Sequence, residues 1–287
     1  MSAGENFIAQ RRIGDAVVTV INEGGMVWPP KYPVPEPEWR AALPEAGERG
    51  EIPIDFLIAH VRIGDASIMI DPGLDNPDSL WEQRFEGHWE AVYRTPGMAA
   101  ALDRLSIKPE EVTHVLITHA HDDHFGGLTV DRDGKPELRF PNATAYIGRA
   151  DWEEHPWRGR PGAEVDARLG LAAQAGRLRV VDGDQEIVPG VSMLATPGES
   201  RGHSVVRVRS EGQSFYYVGD LFHHTAEVAN LDWVSPGRDK NIMRASRERF
   251  LADAVPASGI VLFSHDRFPG WGRIVAANGG YQFEHVP

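Results

Sequence analysis

The sequence contains no cysteine. This absence excludes disulfide bonds, thiolate metal ligands and a cysteine nucleophile, so any metal site must be built from histidine and carboxylate side chains. Positive charge is also scarce, because 29 Lys and Arg residues face 42 Asp and Glu residues and the formal net charge is −13. We therefore expect neither a nucleic acid nor an anionic membrane as a partner, since both bind basic surfaces.

Long apolar segments are missing as well. No apolar run approaches the roughly 18 residues of a membrane span. The N-terminal segment MSAGENFIAQRR lacks the apolar core of a signal peptide, so we expect a cytoplasmic protein that acts on a small molecule. The 287 residues, 41 % of them hydrophobic, are enough for one large hydrophobic core.

Proline is concentrated in residues 24–53, a stretch that also contains Trp28, Tyr32 and Trp39. Because proline interrupts both helices and strand ladders, we expect this stretch to be an irregular loop. It either connects two elements across the surface, packed down by its aromatic residues, or overhangs a substrate pocket. Long irregular loops in compact domains are often functional, so a position near the active site is expected.

Short apolar runs rich in valine and isoleucine predict buried strands. They lie at residues 17–21, 56–61, 67–70, 113–118, 143–147, 177–181, 191–195, 204–209, 214–218 and 259–263. Helical periodicity is found at 97–105, 163–175 and 241–254. Because the helices interrupt the strands late and unevenly, the pattern predicts a mixed α/β fold with two sheets.

A dense set of potential metal ligands follows the predicted strand at 113–118. The segment His119-Ala-His-Asp-Asp-His124 places three imidazoles and two carboxylates in six positions. On a loop after a strand these side chains can converge on two adjacent points, and Gly126 and Gly127 permit a sharp turn there. Imidazole combined with carboxylate suits zinc, manganese, iron or cobalt. The segment therefore indicates a metal site rather than a solvated polar loop.

This HxHxDH segment resembles the signature of the metallo-β-lactamase superfamily. Four further elements match the family and occur in the same order along the chain as in the family, the first of them before the HxHxDH segment. They are Asp71-Pro-Gly73, Thr196-Pro-Gly-Glu-Ser-Arg-Gly-His203, Tyr217-Val-Gly-Asp220 and Ser264-His265. The resemblance implies an αββα sandwich of two mixed β-sheets flanked by helices. Because the matching residues are spread from His119 to His265 with no clear linker between them, we predict a single domain over residues 1–287.

The resemblance also implies a dinuclear metal centre. The matching positions are His119, His121 and His203 for the first metal, Asp123, His124 and His265 for the second, and Asp220 for the carboxylate that bridges the two. Two divalent ions are therefore expected, with zinc as the first choice and manganese, iron or cobalt as alternatives. Glu199 stands where the family often has histidine, and it is not expected to bind a metal directly.

Two stretches narrow the resemblance to the branch that contains acyl-homoserine lactonases and methyl parathion hydrolase. They are Gly219-Asp-Leu-Phe-His-His224 and His265-Asp-Arg-Phe-Pro-Gly-Trp-Gly-Arg-Ile274. Lactonases of this branch often have tyrosine at the position of His223. That imidazole either donates a hydrogen bond to the substrate carbonyl oxygen or forms part of the pocket wall.

The implied activity is the hydrolysis of a lactone or ester of a small molecule by a hydroxide that bridges the two metals. Asp123 or solvent would then pass a proton to the leaving oxygen, and His223 would act as a second catalytic residue. A phosphotriester hydrolase is one alternative. A mononuclear iron dioxygenase of the persulfide dioxygenase type is another, and it would not need His124 and His265 as ligands.

Substrate choice is expected to depend on the proline-rich loop and on the aromatic residues of segment 81–93. Relatives of this branch often form dimers, and a homodimer is left open because no apolar interface can be recognised in the sequence.

Overall fold

The computed structural model describes residues 6–74, 93–132 and 135–287. In chain order its strands are β1 (Ile8–Ile13), β2 (Ala16–Trp28), β3 (Ile52–Ile63), β4 (Ala66–Ile70), β5 (Tyr93–Arg94), β6 (His114–Ile117), β7 (Thr129–Arg132), β8 (Lys135–Leu138), β9 (Thr144–Gly148), β10 (Leu178–Val181), β11 (Gln185–Val188), β12 (Val191–Ala195), β13 (Ser204–Ser210), β14 (Gln213–Tyr217), β15 (Ile260–Leu262), β16 (Gly272–Ala277) and β17 (Gly280–His285). The α-helices are α1 (Glu36–Ala42), α2 (Gly97–Arg104), α3 (Asp122–Phe125), α4 (Arg149–Glu153), α5 (Glu164–Gln174) and α6 (Lys240–Ala254). Short 3₁₀ helices lie at Pro109–Glu111, Gly126–Leu128, Gly219–Leu221 and Thr225–Val228.

The strands form two mixed sheets and a small hairpin of β7 and β8. The first sheet has the order β1-β2-β3-β4-β6-β9-β10, with β5 paired to β2, and its strands run parallel from β4 to β10. The second sheet runs from β11 to β17 in sequence order, and its β14–β15 pair is parallel. Because the carboxyl ends of β4 and β6 meet at one edge, the segments after Ile70 and Ile117 lie side by side.

The two sheets pack face to face through alternating side chains. Ile68, Ile70 and Leu116 of the first sheet share one buried cluster with Tyr217 and Leu262 of the second. The alternation of side chains along a strand directs the intervening residues to the opposite face. Each strand in this region is therefore buried on both faces, which explains the nearly continuous apolar runs in the sequence.

Helices cover the outer faces of both sheets. Met98 and Leu102 of α2, together with Leu169 of α5, pack on the outer face of the first sheet. Met243 and Phe250 of α6 pack on the outer face of the second. The predicted αββα sandwich is therefore confirmed. Within the described ranges, none of the helices has the length and apolar character needed to cross a bilayer.

Each of the predicted strands and helices falls on an observed element, but the interpretation of residues 24–53 as an irregular loop was wrong in part. Strand β2 continues to Trp28, and α1 spans Glu36–Ala42. Pro37 lies in the first turn of α1, where a backbone N–H would have no helical partner in any case. Of the predicted aromatic segment at 81–93, only Tyr93 belongs to the described residues.

Candidate metal centre

The turn after β4 stabilises the histidine loop that follows β6. The carboxylate of Asp71 accepts hydrogen bonds of 2.7 Å from the backbone N–H and from the hydroxyl of Thr118. Its Oδ2 also lies 2.8 Å from Nδ1 of His124. A carboxylate on one ring nitrogen of a histidine fixes the ring so that the other nitrogen faces a metal. The sequence placed Asp71 in a family motif but did not give it this role.

A second buried carboxylate, Asp151 of α4, joins the histidine loop to the segment that contains Glu199. Its Oδ2 accepts the backbone N–H of Ala120 at 2.9 Å and the hydroxyl of Ser200 at 2.6 Å. Its Oδ1 accepts the backbone N–H of Gly202 at 2.6 Å. Sequence reasoning missed Asp151, because nothing in the local pattern distinguishes it from a surface acid.

Asp220 lies between two sets of imidazoles. Its Oδ1 is 3.3 Å from Nε2 of His124 and 3.2 Å from Nε2 of His265. Its Oδ2 is 3.7 Å from Nε2 of His119 and 3.3 Å from Nε2 of His223. One carboxylate thus offers an oxygen to each side, which is the arrangement expected of a bridging ligand.

The chain reaches Asp220 through a left-handed residue at the end of β14. Gly219 has a φ of +53°, and a Cβ on it would lie 2.8 Å from both Thr118 Oγ1 and Nε2 of His203. Only glycine combines this backbone conformation with so close an approach. The Gly-Asp element of the sequence is therefore a steric requirement of the site.

In the described part of the chain, two groups of side chains bring potential ligand atoms within 4.8 Å of one another. They are His119, His121, Glu199 and Asp220 in the first group and Asp123, His124 and His265 in the second. Six of the predicted ligands thus lie together. His203 lies beside the first group rather than in it, and its role as a ligand stays a prediction. Glu199, which was expected outside the metal shell, takes a place in the first group.

The donor atoms present fit divalent cations. Nε2 of His124 and Oε2 of Glu199 are buried and have no hydrogen-bond partner. Leaving such a group without a partner costs about 1–3 kcal/mol. Both atoms face the cluster of carboxylates and imidazoles, and imidazole with carboxylate is a ligand chemistry for zinc, manganese, iron and cobalt.

The electrostatics of the cluster also favour added positive charge. Burial acts to raise the pKa of Asp220, but the imidazoles of His265 and His124 outweigh it and hold that pKa well below its usual range. Burial, aided by the imidazoles of His124 and His121, lowers the pKa of His119 well below its usual value. At His124 burial acts to lower the pKa, but the carboxylates of Asp220 and Asp123 outweigh it and hold that pKa well above its usual value, so a cation bound at this ring would replace a proton.

His223 lies against the cluster on the side of the cleft. Burial would lower the pKa of His223, but the carboxylates of Asp220 and Glu199 outweigh it and raise the pKa to about 9. The ring stacks on Trp28, with centroids 5.3 Å apart. The backbone N–H of His223 donates to Oε2 of Glu227 at 3.2 Å.

Glu227 belongs to a buried network that ties the proline-rich segment to the site. Arg247 donates to Oε2 of Glu227 at 2.5 Å, and the hydroxyl of Tyr32 donates to Oε1 at 3.0 Å. Arg247 also donates to the backbone carbonyl of Trp233 at 2.9 Å. The network therefore fixes both the backbone of His223 and the segment around Tyr32.

The cluster lies in a cleft of about 1220 Å³. Residues of the predicted loop at 24–53 line it, among them Met26, Trp28 and Lys31. Trp157 and Arg201 line it as well, from elsewhere in the chain. The cleft thus has a polar floor and walls that are partly apolar and partly charged, with residues of both signs.

Comparison with known proteins supports the fold. A sequence-family profile described as "Metallo-beta-lactamase superfamily" matches residues 56–265. An N-acyl homoserine lactonase of Bacillus cereus is 26 % identical over 208 residues, which are 70 % of this chain and 77 % of the relative. Among solved structures, the dizinc quorum-quenching lactonase AidC, in complex with a product, has a TM-score of 0.76 at 20 % identity and covers 98 % of this chain and 97 % of its own. A probable metal-dependent hydrolase from Staphylococcus aureus has a TM-score of 0.78 at 24 % identity, with 96 % and 100 % covered.

Proposed function

This chain belongs to the metallo-beta-lactamase superfamily and is a metal-dependent hydrolase, and we propose that it opens lactone rings with the help of two divalent cations. The observation that carries the proposal is the position of Asp220, with one carboxylate oxygen toward each set of imidazoles. A carboxylate placed in this way can be shared by two cations. Zinc is our first choice for both, since imidazole and carboxylate ligands suit it.

The cations would be held by the two groups of side chains. His119 and His121, with His203 beside them as the predicted third ligand, would bind one, and Asp123, His124 and His265 the other, with Asp220 between them. Cations held there would supply Lewis-acid chemistry, which lowers the pKa of water and polarises the carbonyl that is attacked. Asp71 keeps Nε2 of His124 directed into the site, and Asp151 keeps the histidine loop against the segment around Glu199.

Two residues are proposed to act on the substrate directly. The ring of His223 reaches the cleft, and its N–H would donate a hydrogen bond to the oxygen of the carbonyl that is attacked. Asp123 also lines the cleft, with 22 % of its side chain exposed, and would pass a proton to the leaving oxygen. In a lactone the leaving oxygen stays attached to the product, so it remains close to Asp123.

Lactones are favoured over other esters because the N-acyl homoserine lactonase of Bacillus cereus is among the relatives. The walls of the cleft fit a small amphipathic ligand. Met26, Trp28 and Trp157 offer apolar surface, and a cleft of about 1220 Å³ is large enough for an acyl chain attached to a ring.

The proposal is tested by loading the protein with zinc, manganese, iron or cobalt and measuring hydrolysis of lactones, aryl esters, phosphotriesters and β-lactams. We expect the fastest turnover with lactones. The His121→Ala variant is the matched blank and should lose nearly all hydrolysis while keeping its far-UV circular dichroism. Full activity in that blank would contradict a metal-dependent mechanism.

The same panel decides between the alternatives. Faster turnover of phosphotriesters than of lactones would assign the chain to organophosphate hydrolysis. One iron per chain together with oxygen consumption would indicate an iron dioxygenase. The second group, Asp123, His124 and His265, favours two metals over one, because a single cation at the first group would leave these three side chains, two of them buried, without a cation to bind.

A further inference from the structure

Glu227 is a buried carboxylate that contacts His223 through the backbone of that residue. Its Oε2 accepts the N–H of His223 at 3.2 Å and a guanidinium N–H of Arg247 at 2.5 Å. The side chains of Glu227 and Arg247 are 2 % and 1 % exposed. Because both oxygens of a buried carboxylate need hydrogen-bond donors, the position of Oε2 also depends on how Oε1 is held.

Tyr32 supplies the donor for the other oxygen. Its hydroxyl donates to Oε1 of Glu227 at 3.0 Å. Burial, aided by the charge of Glu227, raises the pKa of Tyr32 above its usual range, so the hydroxyl keeps its proton. The ring packs on Trp233 with centroids 4.8 Å apart, and Arg247 donates to the backbone carbonyl of Trp233 at 2.9 Å. The direction of the Tyr32 hydroxyl therefore depends on the same ion pair whose carboxylate it contacts.

The segment that contains Tyr32 reaches His223 at a second point. The ring of Trp28, four residues earlier in the chain, stacks on the imidazole, with centroids 5.3 Å apart and an angle of 22° between the planes. His223 is thus contacted on its ring by Trp28 and on its backbone, through Glu227, by Tyr32. Both contacts come from residues outside the two ligand groups.

We propose that Tyr32 is a positioning residue of the reaction, which acts on His223 through the carboxylate of Glu227. The inference rests on the proposed function, in which the N–H of the His223 ring donates to the carbonyl oxygen that is attacked. Without the Tyr32 hydroxyl, Oε1 of Glu227 loses this donor, and the carboxylate turns away from the backbone N–H of His223. A displacement of about 1 Å in a group that acts on the substrate is enough to slow a reaction severely.

The first test measures how firmly the backbone of His223 is held and needs no turnover. Amide hydrogen exchange of the full chain incubated with zinc reports on the bond between the His223 N–H and Glu227. We expect Tyr32→Phe to speed this exchange by about 10- to 100-fold, since a hydrogen bond to a charged group is weakened.

Tyr216→Phe is the matched control for this experiment. The Tyr216 hydroxyl donates to Oδ2 of Asp253 at the same distance of 3.0 Å, and neither residue lines the cleft. This variant also loses one hydrogen bond between a tyrosine and a carboxylate, but at a place remote from Glu227. Exchange at His223 should therefore remain as in the wild type.

The second test is a double-mutant cycle with His223, measured on the substrate that the wild type cleaves fastest. Tyr32→Phe should lower kcat by about tenfold and change KM by less than about twofold, because the hydroxyl acts on the step that breaks the bond. In the His223→Gln background the same change should lower kcat by less than about twofold, since the residue that Tyr32 positions is gone. Tyr216→Phe should leave kcat unchanged in both backgrounds.

Glu227 itself is kept in both tests, because its removal would leave the buried Arg247 without its carboxylate and destabilise the fold. The proposal is overturned if Tyr32→Phe leaves either the exchange of His223 or kcat as in the wild type, if it lowers kcat equally in both backgrounds, or if Tyr216→Phe causes the same changes. Full activity in His223→Gln would overturn it as well. A wild type that hydrolyses none of the four substrate classes would instead contradict the proposed function, and the exchange experiment would still decide whether Tyr32 holds His223.

Discussion

The floor and the rim of the cleft are built in different ways. The floor consists of the two ligand groups, which include Asp220, and three of its four histidines, His119, His124 and His265, are at most 7 % exposed, whereas the side chain of His121 is 39 % exposed. What we call the rim consists of Trp28, Lys31, Arg49, Trp157 and Arg201, which line the cleft outside these groups. Trp157 is 60 % exposed. The floor is thus mostly enclosed by the fold, whereas the rim is more open to solvent.

The difference follows from what each region is attached to. The floor residues follow the ends of β6, β14 and β15, and buried carboxylates such as Asp71 and Asp151 fix their backbone. The rim residues lie at the end of β2 or in connecting segments, where neighbouring side chains restrict the conformation of a residue less. Changes in the floor should therefore abolish the reaction, and changes in the rim should alter only which substrate is accepted.

The largest effect is expected from removal of the shared carboxylate. Asp220→Ala should lower kcat/KM by on the order of 10³-fold, since the two sites lose their common ligand. Metal analysis should show fewer bound cations, and circular dichroism should show that the fold remains. Asp65→Ala, in the exposed turn after β3, is the control and should have normal kinetics. More than a tenth of the wild-type rate in Asp220→Ala would show that the floor is not a single unit.

A large effect on stability is expected beneath the floor, at Glu23. Its Oε2 accepts the backbone N–H of Leu74 at 2.6 Å, and burial raises its pKa to about 7 despite the opposing charges of Arg94 and Arg139. Between pH 4.5 and 7 the unfolded chain ionises this carboxyl while the folded chain keeps it protonated. The free energy of unfolding should therefore fall with rising pH over this range, by roughly 3 kcal/mol from this group.

Glu23→Gln removes that loss, because the amide does not titrate. Urea unfolding at pH 4.5 and at pH 7.5 should show that the variant gains stability relative to the wild type as the pH rises. Glu48→Gln, at an exposed position, should follow the wild type at both pH values. Parallel pH profiles for Glu23→Gln and the wild type would mean that Glu23 is ionised in the folded protein.

A smaller effect, on metal affinity, is expected from a change at Asp71, which supports the floor. Asp71→Asn weakens the hold on Nδ1 of His124 and should lower metal affinity by about 10- to 100-fold. Calorimetric titration of the metal-free variant measures this directly. Thr118→Ser keeps the hydroxyl that donates to Asp71 and should bind metal normally. Equal affinity in Asp71→Asn and the wild type would show that the floor does not depend on this carboxylate.

The smallest effect is expected at the rim. Trp157→Ala should raise KM and leave kcat unchanged, because the residue would contact the substrate far from the bond that is broken. With lactones of increasing acyl-chain length, the wild type should gain up to about 0.8 kcal/mol per buried methylene, and the variant should gain less. A parallel fall of kcat and kcat/KM would place Trp157 in the catalytic machinery and remove the distinction between rim and floor.

The sequence was informative where burial is complete. Strands such as β3 and β6 lie between the second sheet and the helices on the outer face of the first sheet. Their continuous apolar character made them recognisable. The hairpin of β16 and β17 was missed because its exposed residues interrupt the pattern. Asn278-Gly279 between the two strands, with φ values of +49° and +79°, was a signal that sequence reasoning could have used.

In the candidate site, too, some residues could be recognised from the sequence and others could not. The HxHxDH segment was found from its local density of ligands, and Asp220 was found through the resemblance of Tyr217-Val-Gly-Asp220 to a family element. Asp151 and the Glu227–Arg247 pair were not found, since their partners are distant in the sequence. Arg247 donates a hydrogen bond to Glu227, and Glu227 accepts another from Tyr32, which lies far away in the sequence.

The sequence by itself determined the layered fold and which types of side chain were available for metals. Periodicity reports burial, and the absence of cysteine limits the ligands to imidazole and carboxylate. Only the tertiary structure brought Glu199 into the first group, beside His121, and placed the ring of His203 against His119. Both belong to one irregular segment, where no periodicity fixes the direction of a side chain, and their directions depend on Arg238, Thr196 and the backbone of Asp220.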